Sequence, residues 1–161
     1  MKRQGLLTHY NGFDIVQTSE HITLHCGTYL RKLFANHGWS DMHDKLFPMS
    51  PENDYIHSLD TAVPPTTDAG RLALENGHFR YRGAIGELIW AMITCRPELS
   101  FPVCKLSQFS ADPAKIHYDA VRHIFSFLSG TLDYGLTYWR ITPHASLPKI
   151  AAPVLLTNPS D

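Results

Sequence analysis

Side chains able to do chemistry are plentiful in this chain of 161 residues, but few are spaced to act together. Ten histidines invite a metal site. His21 and His25 stand four apart in what reads as a strand, so they share a face. No His-Glu-x-x-His and no cysteine-rich partner accompanies them, and ordinary surface or half-buried imidazoles are the favoured reading. Cys26, Cys95 and Cys104 are odd in number and lack a C-x-x-C spacing. Their apolar surroundings suit buried structural thiols in a reducing compartment, not a disulfide framework or a zinc site. A nucleophilic serine would want a G-x-S-x-G elbow, and a nucleotide cradle a G-x-G-x-x-G or G-x-x-x-x-G-K-[ST] run; none is present. Two-metal chemistry needs carboxylates that project together, and the chain has no Asp-Asp pair. Asp41 and Asp44, beside Lys45, read as solvated. Gly83 and Gly86, three apart in a helical pattern, leave a notch whose favoured use is close helix packing. No self-sufficient catalytic centre emerges, and no catalytic or metal-binding residue is assigned.

Binding chemistry remains. Arg80, Arg82, Lys105, Lys115, Arg122 and Arg140 lie among Tyr81, Trp90, Tyr118, Tyr138 and Trp139. Cations in such company can neutralise phosphates while the aromatics stack on sugars and bases. The competing reading is a solvated helix face over an ordinary core, which composition alone favours. A formal net charge of −1 gives no whole-chain pull toward polyanions, although residues 80–140 are mildly basic and the first half is acidic.

The elements that would position these groups follow from periodicity. GFDIVQT and HITLH alternate with period two and predict two short strands, joined through Ser19-Glu20 as a hairpin, with Asp14 pointing outward. GTYLRKLFANHGW switches to helical spacing, with Tyr29, Leu30, Leu33, Phe34 and His37 on one face and Gly38 as C-terminal cap. Residues 39–79, with Pro48, Pro51, Pro64 and Pro65 among many Asp, Ser and Thr, predict a loop or linker. RYRGAIGELIWAMITC places Tyr81, Ala84, Ile85, Leu88, Met92 and Cys95 on a helical face widened by Ile89 and Trp90. That helix should stop at Arg96, before Pro97. A second helix carries Leu99, Val103, Leu106 and Phe109, its start kinked or delayed by Pro102. The last helix should open with Asp112 as N-cap and Pro113 as first residue. Lys115, Asp119, Arg122, Ser126 and Ser129 make its polar stripe, with Asp119 paired to Arg122 or His123. Ile116, Ala120, Val121, Ile124, Phe125 and Leu128 make its apolar stripe. A left-handed Gly130 ends it, and TLDYGLTYWR reads as a strand with Leu132, Tyr134, Leu136 and Tyr138 on one face. The expected fold is α+β and mainly helical. It comprises a hairpin–helix unit (1–38), a long linker (39–79), a three-helix segment with a C-terminal strand (80–140) and a proline-rich tail (141–161). The most apolar run, Leu88 to Cys95, falls short of the ~20 residues of a membrane span, and the first residues lack a signal-peptide core. A soluble intracellular protein is expected.

In their order and spacing, HYNGFDI, ITLHCGTYLRKLFANHGW, YRGAIGELIW, TCRPELSF, LSQFSADPAKIHYDAVRHIFSFL and GTLDYGLTY resemble the reverse transcriptase of copia-type long-terminal-repeat retrotransposons. The likeness covers residues 10 to 139. It implies the region after the polymerase palm and before the ribonuclease H domain, the thumb and connection that hold the primer–template duplex. Residues 1–38 would be the end of the palm. The palm's catalytic aspartates would precede the matched region, so no polymerase catalytic residue transfers to any position here. Glu98 stands where the family commonly has Asp after Arg-Pro, and Pro102 where a small residue is common. The first ribonuclease H aspartate would follow Arg140 closely, and Asp161 is the one candidate.

The resemblance implies RNA-directed DNA synthesis for the parent polyprotein, within transposition and DNA integration, with magnesium as its metal. For this chain it implies a non-catalytic grip on an RNA–DNA or DNA duplex, without a cofactor of its own, beside missing palm and ribonuclease H regions. The compartment would be cytoplasmic or particle-associated. Charge and expected exposure select Arg80, Arg82, Lys105, Lys115 and Arg122 as phosphate contacts. Two other classes remain: a truncated relic with no role, and a protein-interaction module that uses its apolar faces.

Overall fold

The computed structural model describes residues 6–39, 42 and 44–141. The N-terminal alternation forms β1 (His9–Tyr10), β2 (Phe13–Gln17) and β3 (His21–His25), paired antiparallel, with Ile15 opposite Leu24 and Gln17 opposite Ile22. Helix α1 (Gly27–His37) buries Leu30, Leu33 and Phe34, as its spacing predicts. Gly38 closes it in the left-handed region, at φ 67°, where glycine carries no Cβ penalty.

Asp14 is not outward. It is buried, and its carboxylate accepts the Thr28 N–H at 2.7 Å, with His9 at 2.9 Å and His25 at 3.6 Å. It thereby serves the first turn of α1, where Cys26 occupies the N-cap without a side-chain hydrogen bond. Alternation alone marks polar positions as outward; the partners that override it come from other elements.

Residues 39–79 are more than a loop. They hold α2 (Asn53–Thr61) and α3 (Asp68–Asn76). Each is nine residues long; α2 buries only Leu59 and α3 buries nothing fully, so neither writes an apolar stripe into the sequence. The start of α3 does leave a signal, because Thr67 Oγ1 accepts the Gly70 N–H at 3.1 Å. Leu59 is completely buried, and its carbonyl lies 2.9 Å from His117 Nε2 of the last helix, which ties α2 to the core.

Helix α4 (Tyr81–Thr94) ends just before Arg96-Pro97, as steric conflict before proline requires. Pro97 opens a short 3-10 turn (Pro97–Leu99), and α5 (Ser100–Ser107) holds Pro102 in its first turn, where no intrahelical hydrogen bond is lost. Helix α6 (Lys115–Gly130) begins later than its sequence suggests. Asp112 does not cap it, because both its oxygens are taken by Arg71, at 2.8 and 3.2 Å. The neutral imidazole of His117 serves instead, its Nδ1 accepting the Ala114 N–H at 2.9 Å. Asp119 pairs with Lys115 at 2.7 Å, one turn back, instead of Arg122 or His123. Gly130 remains helical; its lack of a Cβ makes room for Asp44, whose Cγ would lie 2.8 Å from one.

The chain then turns through residues 131–134 and forms β4 (Gly135–Trp139), shorter than expected, which returns to pair antiparallel with β3. The sheet order is β1-β2-β3-β4, so the two ends of the described chain share one sheet. The β4 aromatics do not cover the helices. Tyr134, Tyr138 and Trp139 are 62%, 57% and 68% exposed, and in this edge strand only Leu136 packs against the core. Helices α1, α4, α5 and α6 share a continuous apolar core that includes Leu30, Leu88, Val103, Ile124 and Phe125. Cys26 and Cys95 are buried as their pattern suggests, whereas Cys104 is exposed. The expected tail lies almost wholly outside the described residues, as do Asp41 and Asp161.

Candidate functional site

Where α1 ends and α4 begins, the helices part around a cleft of about 890 Å³. The end of α1 contributes His37, α3 contributes Arg71 and Glu75, and the first turns of α4 contribute Tyr81, Arg82 and Gly83. Arg80 stands at the N-cap of α4, and the α5–α6 connection closes the far side with Ser110 and Pro113. The floor is aromatic: the Tyr118 ring lies 5.1 Å from Tyr81 and 5.3 Å from Phe79, edge-on to both. Tyr81 is fixed there because its hydroxyl donates to the Leu106 carbonyl at 2.9 Å. Burial pushes the Tyr81 and Tyr118 phenols up, with help from each other's neighbours, Tyr118 at Tyr81 and Glu75 at Tyr118, so both stay protonated.

The rim is electrically mixed. Arg71 is committed to Asp112 and Asp68, which hold its guanidinium firmly charged. Glu87 faces His37 at 2.9 Å, and Glu75 lies 3.8 Å from Arg80. Arg82 donates Nε to the Ser110 carbonyl at 2.8 Å and has no carboxylate partner among the described residues.

Of the five cations selected from the sequence, Arg80 and Arg82 come together at this rim. Lys105, Lys115 and Arg122 do not line the cleft. Lys105 is drawn down to Asp60 at 2.6 Å and lies near the Phe109 ring. Lys115 is held by Asp119, whose other oxygen lies 3.9 Å from His78, a cleft residue. Arg122 is exposed on α6 without an ion pair among the described residues. Sequence reasoning missed Arg71, His37 and His78; the Thr67 cap was the one local signal that could have placed Arg71 on a helix. Gly83 and Gly86 are not packed against another helix. A Cβ at Gly86 would meet nothing within 4 Å, and one at Gly83 only Arg80 Cβ at 3.7 Å.

Arg96 is a different kind of cation. Its side chain is wholly buried, donating to the Thr131 carbonyl at 2.8 Å and to Thr131 Oγ1 at 2.6 Å, and paired with Glu98. Glu98 therefore has a structural partner two residues away. No cluster of three or more His, Cys, Asp or Glu able to hold a metal occurs among the described residues. No helix among them is long and apolar enough to cross a membrane.

The homologues of this chain include transposon Pol polyproteins, matched at modest identity over part of their length. The chain is 34% identical over 84 residues to the retrovirus-related Pol polyprotein from transposon RE2 of Arabidopsis thaliana, which is 47% of this chain and 6% of that one. It is 27% identical over 139 residues to a transposon Ty5-1 protein of Saccharomyces cerevisiae, 86% of this chain and 41% of that one. It is also 37% identical over 60 residues to the secreted RxLR effector protein 161 of Plasmopara viticola, 37% of this chain and 42% of that one. The matches thus span less than half the length of each of these relatives. No family model matches the chain, and no solved structure matches it.

Proposed function

We propose that this chain is a non-catalytic piece of a copia-type reverse transcriptase polyprotein that grips the primer–template duplex through the region around α4. The observation that carries this reading is the convergence of Arg80 and Arg82, both exposed, on one rim at the start of α4. The Pol polyprotein relatives support it independently. Two neighbouring guanidiniums contact adjacent phosphates without reading sequence, as a processive enzyme requires of its non-catalytic parts. RNA-directed DNA synthesis and magnesium belong to the parent polyprotein in this reading.

Fluorescence anisotropy with a labelled RNA–DNA primer–template bearing 5′-hydroxyl ends, across a salt series, tests it. The wild type binds and weakens steeply with salt, and Arg80→Ala with Arg82→Ala lowers the slope by about two units, one for each phosphate contact. Failure of the folded chain to bind at low salt refutes the reading. One observation favours a second reading as a protein-interaction module: Ile93 and Phe101, at the end of α4 and the start of α5, are 69% and 62% exposed. A cooperative thermal transition with no duplex binding would support that module.

A further inference from the structure

We infer that Cys26 and Cys95 form a redox-modification site, at which hydrogen peroxide closes a disulfide that staples the start of α1 to the end of α4. The inference goes beyond the duplex reading and stands independently of it. Spacing hides the pair, because the two cysteines are far apart in the chain and share no C-x-x-C. The fold joins them: Cys26 is the N-cap of α1 and Cys95 the C-cap of α4. Both are buried, at 0% and 1% exposure, and their thiols meet as hydrogen-bonding partners. Two thiols already in contact need only a small side-chain rotation to reach the ~2.05 Å bond of a disulfide.

Their surroundings favour one thiolate. The wholly buried Arg96 follows Cys95 in the chain, and its charge favours ionisation of both thiols. Cys26 stands at the start of α1, whose first turn holds no acidic residue, and Thr94 Oγ1 lies 3.8 Å from Cys95 Sγ. The contact itself pushes the Cys95 thiol down, against burial, and the Cys26 thiol up, together with burial. The pair therefore gives up its first proton more easily than its second. Asp14 opposes ionisation at Cys26 and Glu98 at Cys95, each as the weakest influence there. The thiolate attacks one peroxide oxygen, the O–O bond breaks, and the departing hydroxide takes up a proton to become water. The sulfenic acid left behind is attacked at sulfur by the partner thiol, its S–O bond breaks, and a second water leaves. Two thiols thus lose two electrons and two protons to one peroxide. Peroxide is close to water in size, so brief local opening admits it to a buried pair. The adjoining thiol resolves the sulfenic acid before further oxidation.

The test uses the full chain carrying Cys104→Ser, an exposed position, so that only the buried pair can react. The folded protein is treated with hydrogen peroxide, alkylated in denaturant without reductant, digested and weighed. The expected product is one peptide pair joined through Cys26 and Cys95, lighter by about 2 Da than the two separate peptides and free of alkylation. The bond closes a loop of about 70 residues, so the thermal midpoint of the oxidised chain should rise by about 5–15 °C and return with dithiothreitol. Cys26→Ala in the same background should abolish the rise and leave Cys95 as sulfenic or sulfinic acid. Three results overturn the inference. Both thiols are alkylated after a peroxide dose that oxidises Cys104 in the wild type; the disulfide forms only once urea has unfolded the chain; or the bond forms and the midpoint does not rise.

Discussion

Replacing Arg96 by alanine should be the most damaging single truncation in the helical core. The guanidinium joins the end of α4 to the end of α6 through two bonds to Thr131, and its carbon lies 5.5 Å from the centre of the Phe127 ring. The side chain is 1% exposed, whereas Glu98 is 41% exposed. That asymmetry sets the magnitude. With Arg96 gone, Glu98 rotates into water and leaves no buried charge behind, so the full penalty of a broken buried ion pair does not apply. What remains is the loss of the two bonds to Thr131, about 1–3 kcal/mol together, its carbonyl keeping the Tyr134 N–H at 3.1 Å, and the cavity left by a large buried side chain, about 2 kcal/mol more. The sum is about 3–5 kcal/mol, a large share of the ~5–15 kcal/mol that holds a domain together. Urea unfolding followed by circular dichroism measures it, and Arg96→Met separates the terms by restoring volume without hydrogen bonds; it should recover about half the loss. A midpoint for Arg96→Ala within about 1 kcal/mol of wild type would refute the claim that this arginine clamps the two helices.

Two buried titrating groups should make the fold acid-sensitive. Burial lowers the His117 pKa below 6.5, so the neutral ring's contribution is present above 6.5 and is lost as pH falls through the depressed folded value. Stability measured by urea unfolding should therefore decline as pH falls below 6.5, and an NMR titration should find the His117 ring titrating below the ordinary histidine value. For Asp14, burial alone would raise the pKa, but the Thr28 hydrogen bonds and the nearby His25 and His9 together hold it below 3.8. The stability difference between wild type and Asp14→Asn should thus be full above pH 4 and shrink as pH falls below it, in the same unfolding assay. Gly86→Ala adds a methyl group in open space at an exposed position of α4 and should raise stability by about 0.5–1 kcal/mol in a thermal melt. Gly135→Ala should instead cost about 1–3 kcal/mol, because its Cβ would collide with the Leu24 carbonyl; loss of amide protection along β3 in hydrogen exchange would locate the damage.

The sequence by itself determined the elements whose side chains repeat on a strong period. The β2–β3 hairpin, α1 with its Gly38 stop, α4 ending before Pro97 and the apolar stripe of α6 are local properties, because 2.0- and 3.6-residue periods are set by backbone geometry within each segment. The pairing of Arg80 with Arg82 at one helix start was also local. Only the tertiary structure decided which partners polar groups find. Asp14 is inward because α1 needs a carboxylate at its first turn, and Asp112 leaves the cap of α6 because Arg71 reaches it. His117 takes that cap because Leu59 fixes its other nitrogen. The same holds for β4: alternation in Gly135–Trp139 announces a strand, but not that it pairs with His21–His25 at the other end of the chain. Periodicity records how one segment faces a core. It carries no information about which distant segment supplies the hydrogen bonds, and those long-range contacts placed the cleft, its aromatic floor and the two exposed arginines in one site.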